Sequence, residues 1–541
     1  MKQQLIYSIL CFVGFCLNAQ QEFHVFPKND KNTPGREIGD GTIANPWDLK
    51  TALKQKPDAV NSGDIIWLHE GIYNGRFISA LQSLDTNAYI TVSAFEKDKV
   101  VLNGNVNSKL SAVLEVKSKQ VIYKNFEITC LGGFSRNETD LNFELCVGLR
   151  HLTGENRFYN LQIHDNPGLG FGSWKHTAGS IIENCLIYNN GYIGKTEKGL
   201  GEGMYVQNKS EATRLIKNNI IFNNYYKGIE VWSASRNADF EYVKNITLEH
   251  NILFNNGLPS GFYRDNIIVA SADRNGVNIA KNITLSNNVL YHNANFTTKE
   301  IRKEAPSLTI GFNKNAPVEN VVIKNNIILG RSNTLRILHA KSLTFSNNTV
   351  YTEFIHFGLT TLANASHWKF SNNTYYVKNK RPAYRIVGHE DLEFNKWQTT
   401  FGIDNNSDSK LTTTFDLKAV LALNKQKENP NTFHLALFNK LGDDVTVDFK
   451  DQNLNIGNTY EIYDAENPNV IIKSGVLSED LKIIFPMQLT AFKKPLHSTK
   501  AQKTISNFGV FIIEFETQNT DEVSVKKKDN AIKRFFRWLG F

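Results

Sequence analysis

The sequence predicts an all-β chain: a right-handed parallel β-helix followed by a small antiparallel β-sandwich. Three observations predict it. A short phrase built on asparagine recurs along the chain, each copy encloses a strand-like apolar run, and the texture changes to period-two alternation after about residue 410.

The recurring phrase is an apolar run between asparagines. It reads NLQIHDN at 160–166, NCLIYNN at 184–190, NNIIFNN at 218–224, HNILFNN at 250–256 and NNVLYHN at 287–293. Shorter copies follow: NNIIL at 325–329, NNTVY at 347–351 and NNTYY at 372–376, and Asn125 opens the series. Start-to-start spacings run from 22 to 38 residues. Three to five residues rich in Ile, Val, Leu, Phe and Tyr suit a strand and are too short for a helix. Asparagine tolerates the left-handed backbone, so it serves the tight bend between strands. Coils stacked about 4.8 Å apart bring equivalent amides within bonding range of one another. The longer spacings are coils with inserted loops. A helical or leucine-rich repeat would show helix-length periodicity in each unit, and none is present.

The chain divides into four segments. Residues 1–19 read as a secretory signal, with Lys2, an apolar Leu5–Leu17 run and cleavage after Ala19, so an exported protein is expected: periplasmic, cell-surface or extracellular. Residues 20–408 are the β-helix, with an N-terminal capping helix at Leu49–Leu53 started by Pro46 and Asp48. Residues 409–515 are the β-sandwich, from runs such as FHLALFN (433–439), DVTVDF (444–449) and YEIYD (460–464). Residues 516–541 form a basic tail that mixes Lys526, Lys527, Lys528, Lys533, Arg534 and Arg537 with Phe535, Phe536 and Trp538. That mixture suits an amphipathic helix on a membrane surface, and equally a frayed terminus or a helix packed on the body.

The net charge of +8 sits mostly in the signal and the tail. The body is near neutral, which argues against nucleic acid as a partner. Cys130, Cys146 and Cys185 are too few for a disulfide framework and read as buried thiols, with one Cys130–Cys146 bridge as the alternative.

The opening GDGTIANPWDLKTAL (39–53) and GDIIWLHEGIYNG (63–75), together with the asparagine repeat, resembles the pectate-lyase-like superfamily of secreted β-helix proteins. The resemblance covers roughly residues 22–400, with EFNKWQTTFGIDNNS (393–407) similar to the segment that closes such helices. It implies a polysaccharide partner and leaves the reaction open among lyases, hydrolases, esterases and non-enzymes; a monomer is expected. HDNPGLGFGSW (164–174) with GLGEGMYVQN (199–208) is similar to a bacterial subgroup that reads GHGHGIYxQN at the second stretch. Tyr205, Gln207 and Asn208 match, while Leu200 and Glu202 stand where the histidines would be.

One strand per coil is led by glycine or asparagine: GFGSW (170–174), GMYVQ (203–207), GIEVW (228–232) and NIIVA (266–270). Alternation sends Phe171, Met204, Ile229 and Ile267 inward and Gly172, Tyr205, Glu230 and Ile268 outward. A second outward column holds Trp174, Gln207, Trp232 and Ala270, and the most polar inserts flank these strands. Long loops beside one face of a solenoid build a groove.

Three functions compete for this groove. A lyase acting on a uronate glycan by β-elimination needs a base and a cation, and Tyr205, Lys227, Arg264, His176 and His164 are candidates. A glycoside hydrolase needs paired carboxyls, and Glu202, Glu230 and Asp265 are available. A glycan-binding scaffold needs neither. The lyase is ranked first, with Tyr205, Lys227, Glu230, Glu202 and Arg264 as catalytic candidates. Trp174, Trp232, Gln207, Asn208 and His176 are the substrate-binding candidates, the tryptophans as flat partners for sugar rings. The alternative for the charged stack is a salt-bridge ladder, and for the tryptophans a small core under the loops. Calcium is the candidate cofactor, through Asp265 with Glu230 and Glu202 as further oxygen donors.

Overall fold

Each coil makes three short strands and two tight bends, and both bends are set by a pair of residues. In Asn218–Asn219, Asn287–Asn288, Asn325–Asn326, Asn347–Asn348 and Asn372–Asn373 the first member has φ between 51° and 58°. The second turns inward and donates its amide to the equivalent residue one coil on. The ladder Asn219–Asn251–Asn288–Asn326–Asn348 has Nδ2···Oδ1 distances of 2.9, 3.0, 2.9 and 3.0 Å. The second bend repeats the arrangement with Asn166, Asn190, Asn224 and Asn256, at 2.9, 3.1 and 2.9 Å. One residue therefore supplies the backbone bend and its neighbour satisfies the buried polar groups that the bend exposes.

The computed structural model describes residues 20–293, 305–378, 382–415, 417–498 and 500–516. The signal (1–19) and the tail beyond Glu516 lie outside the described residues. Three sheets of twelve strands each run the length of the coil, parallel throughout except for the terminal pair of Tyr384–Ile386 with Asp391–Leu392. We call them sheet 1 (first strand Glu22–Val25), sheet 2 (first strand Gly71–Asn74) and sheet 3 (first strand Phe77–Ser79), in the order in which a coil visits them. Each asparagine phrase is a sheet 2 strand with its two bends. The inward residues of all three sheets form one continuous core, including Phe171, Met204, Ile229 and Ile267. Cys130, Cys146 and Cys185 are buried and free.

Both ends are closed. At the start, a helix at Leu49–Ala52 is capped by Asp48, whose carboxylate accepts from Thr51 N at 2.9 Å, and Leu49 and Ala52 enter the core. At the end, a helix at Phe394–Phe401 inserts Trp397, fully buried, whose indole N–H donates to Asp404 at 3.0 Å. The last coil strand, Asp408–Leu411, extends slightly past the expected boundary.

The C-terminal segment is a five-stranded antiparallel sheet facing a two-stranded one. Phe433, Leu435, Ile462, Phe485, Phe511 and Ile513 pack between them. The strand Thr432–Phe438 is buried along its whole length, because its other face meets the coil. Sheet 2 presents an aromatic column to it: Tyr188, Phe222 and Phe254 stack with centroids 5.0 and 4.7 Å apart, and Phe508 of the sandwich lies on Tyr291 at 3.9 Å. Ala436, Phe438 and Val510 complete the contact. Sheet 2 is thus covered, and sheet 3 is left to its own loops.

Candidate functional site

The sheet 3 strands align in the register that alternation predicts: Gly172 opposite Tyr205, Tyr205 opposite Glu230, and Glu230 opposite Ile268. The column continues through Thr309 to Arg336. Glu202, Lys227 and Asp265 stack just before the strands, where Gly170 N bonds Glu202 O, Gly203 N bonds Lys227 O and Gly228 N bonds Asp265 O.

These side chains lie outside the core, but Tyr205 and Glu230 are not held openly to solvent as expected. Tyr205 is 9 % exposed and Glu230 4 %. The physical reason is that neighbouring segments fold back onto them. Ala234 N, just beyond the strand, donates to Tyr205 Oη at 3.2 Å. Gln207 Nε2 reaches Tyr205 Oη at 3.5 Å and Trp232 O at 3.3 Å, so Gln207 braces this layer. Lys227 lies across Glu230 and pairs with its Oε1, with Nζ 4.4 Å from the Tyr226 ring centroid.

The burial and charges around Glu202 shift its carboxyl. Burial, and next the charge of Glu230, push Glu202 up to about 7, while Glu202 keeps part of its surface exposed. Burial alone would lower the Lys227 ammonium, but Glu230, Tyr226 and Asp265 outweigh it and hold the group charged well above its ordinary range. Burial, followed by the charge of Glu230, holds the Tyr205 phenol protonated. A carboxyl raised toward neutral pH beside charged neighbours marks a candidate acid–base site.

The remaining candidates divide. Trp232 is half-buried, meets Phe312 edge-on with centroids 5.5 Å apart, and lines a groove of about 360 Å³ with Arg236, Arg274 and Asn313. Trp174 is not a free platform. It folds back over Gly172, where a Cβ would come within 3.4 Å of the indole, and lies 5.0 Å from the Tyr205 ring. Its buried indole N–H has no partner among the described residues. Arg264 is half-exposed beside the cluster, its guanidinium 5.7 Å from the Tyr226 ring centroid, with a buried Nε that has no partner among the described residues.

Four expectations need correction. Asn208 is fully buried and structural: its amide donates to Ala212 O, Lys244 O and Asn245 O, and its Oδ1 accepts from Ser210. His176 is exposed at the far end of its strand, beyond Trp174 and opposite Thr153, away from Glu202 and Glu230. His164 belongs to sheet 2, buried between Glu127 (2.7 Å) and Asp165 (2.9 Å). Asp265 is 3 % exposed and already bound by Thr309 Oγ1 and by Arg336 Nη2 at 3.0 and 3.2 Å, which leaves no open carboxylate edge for calcium. Among the described residues no group of three or more His, Cys, Asp or Glu is placed to hold a metal ion.

Arg336 and Thr309 are site residues that the sequence reading missed. Arg336 Nε donates to Thr309 Oγ1 at 2.8 Å. The signal was present: TLRIL (334–338) and SLTI (307–310) carry the same alternation as GIEVW, and extending the column would have put both side chains outward.

Residues 85–244 match the family model described as the right-handed β-helix region. The body of the chain is a right-handed parallel β-helix. This β-helix is similar to solved structures at low identity. Pectate lyase Pel9A is 14 % identical over 74 % of this chain and 82 % of that chain, with a TM-score of 0.39. Rhamnogalacturonan lyase is 15 % identical over 74 % and 89 %, with a TM-score of 0.43. XylC, solved with xylose, is 12 % identical over 91 % and 100 %, with a TM-score of 0.44. Comparison with curated proteins gives no match. These likenesses concern the fold of the β-helix, and its chemistry has to be read from its side chains.

Proposed function

We propose that this β-helix is an exported polysaccharide-active enzyme that cleaves a uronate-containing glycan by β-elimination on sheet 3. The observation that carries the reading is the stacking of a partly exposed Glu202 beside Glu230, which is buried beneath Lys227; burial and the charge of Glu230 raise the Glu202 carboxyl. Glu202 is the base that removes the proton alpha to the uronate carboxyl. The C4–O bond then breaks, a C4–C5 double bond forms, and the glycosidic oxygen leaves with a proton. Tyr205 is the donor of that proton: its oxygen accepts from Ala234 and Gln207, and its own proton has no acceptor among the described residues. Arg264 neutralises the uronate carboxylate, and Trp232 supports a sugar ring.

The engagement of Glu230 disfavours hydrolysis. A glycosidase needs two carboxyls flanking the bond. Glu202 and Glu230 come from adjacent coils of one face, and Glu230 is committed to Lys227. Lys227 is likewise a poor base, since Glu230 holds it charged.

The test is incubation of the purified protein with uronate-containing and neutral polysaccharides. Elimination gives a rise in absorbance near the ultraviolet edge from the unsaturated product. New reducing ends without that rise would replace this reading with hydrolysis, and retention on immobilised glycan without either would leave a binding module. Trp232→Ala is expected to weaken retention by about 1 kcal/mol, roughly five-fold, with an unchanged melting transition. A large loss of thermal stability in this variant would instead assign Trp232 to a loop core.

A further inference from the structure

A second cavity lies away from sheet 3, at the seam between sandwich and coil. It encloses about 440 Å³, within the range of about 300–1,000 Å³ typical of small-molecule sites. Amides dominate the wall: Asn125, Asn160, Asn184 and Gln162 from the coil, Gln426 and Asn429 from the sandwich. The three coil asparagines are left-handed first members of the first bend, with φ of 66°, 50° and 59°, so their side chains leave the coil.

That outer column is bonded from coil to coil on both sides of the cavity. Asn160 Nδ2 donates to Asn125 Oδ1 at 3.1 Å, and Asn218 Nδ2 donates to Asn184 Oδ1 at 2.7 Å. Between Asn160 and Asn184 the chain of bonds is open. Asn184 is 3 % exposed, and its Nδ2 has no acceptor among the described residues. The buried Oε1 of Gln162, on the adjoining strand, has no donor among them. A donor and an acceptor, both desolvated, therefore line one cavity with nothing to satisfy them, which is costly unless a ligand or water completes the bonds.

Of the five charged residues lining this cavity, three are engaged elsewhere: Lys97 with Glu516 at 2.6 Å, Asp98 with His69 at 3.3 Å, and Glu127 with His164 at 2.7 Å; the other two, Lys99 and Glu514, are of opposite sign. A charged ligand would find few free counter-charges, and an apolar one would leave the amides unbonded. A sugar hydroxyl gives and takes a hydrogen bond at one atom, which suits a wall offering both roles, and Tyr463 adds an aromatic surface to it.

We infer that this seam is a second carbohydrate site, taking an uncharged sugar unit and separate from the sheet 3 groove. It is independent of the elimination chemistry and holds whether or not the chain cleaves anything. The experiment is calorimetric titration of the full chain with neutral oligosaccharides of glucose, galactose, mannose, xylose and N-acetylglucosamine. At least one is expected to bind saturably. Asn184→Ala and Gln162→Leu should each weaken it ten-fold or more, and Trp232→Ala should leave it unchanged. Gln162 is only partly buried and takes no part in the amide column, so Gln162→Leu keeps the test open if Asn184→Ala fails to fold. Absence of saturable binding by every sugar, meaning a cavity filled by water only, overturns the inference. So does undiminished binding by folded Gln162→Leu, or loss of binding in Trp232→Ala.

Discussion

Turnover of a uronate polysaccharide is expected to rise with pH through an apparent pKa near 7, because Glu202 must shed its proton to act as the base. Below that pH the carboxyl is protonated and cannot accept the substrate's proton; above it the carboxylate is ready. Glu202→Gln should lower kcat by a factor on the order of 10² to 10⁴, the usual contribution of a positioned base. Glu230→Gln is the sharper test. It removes the negative charge that helps raise Glu202 and frees the Lys227 cation from its partner, and both changes lower the Glu202 pKa. The acidic limb should therefore move to lower pH in Glu230→Gln while turnover persists. A limb of the opposite sign, with activity falling as pH rises through 7, would make Glu202 an acid and favour hydrolysis. A limb that stays in place in Glu230→Gln would detach the two carboxyls from one another.

Replacement of Asn251 by alanine is expected to produce the largest loss of stability among single bend variants. Its Nδ2 donates to Ile216 O at 2.9 Å and to Asn288 Oδ1 at 3.0 Å. Its Oδ1 accepts from Asn219 N at 3.0 Å and from Asn219 Nδ2 at 2.9 Å. Removing the amide strands Asn219 donors and the Ile216 carbonyl in a site that water does not reach. Each unsatisfied buried group costs about 1–3 kcal/mol, so a total of roughly 3–6 kcal/mol is expected from chemical denaturation. Asn287→Ala, one bend on, changes a residue whose part is the left-handed backbone rather than the ladder, and should cost about 1–2 kcal/mol. Equal losses for the two variants would contradict the division of labour within each pair.

The coil was legible because its signal is periodic. Every copy of the phrase reports the same strand and bends, so the face of Tyr205, Glu230 and Trp232 follows from counting by two. What lies over that face was not legible. The burial of Tyr205 depends on Ala234 turning back toward it, and the covering of Gly172 on one rotamer of Trp174; neither is periodic. The partners of Asp265 come from two later coils, and the reading of the column stopped at Ile268. Asn208 was misread because the residue type serves equally in a bend and in a binding site. His164 was misread because a coil has three outward faces and its own belongs to sheet 2. The sandwich strand Thr432–Phe438 looked one-sided, since Ala436 carries little apolar signal for the face it lays on the coil.

The docking of the sandwich along sheet 2 has a consequence for how the molecule comes apart. A bare solenoid can unravel from either end, one turn at a time, because each turn touches only its neighbours. Here one rigid body rests on consecutive turns from that of Leu186 to that of Tyr376. No turn beneath it can fray without first breaking that shared splint, so the stretch it covers should melt as a single cooperative block.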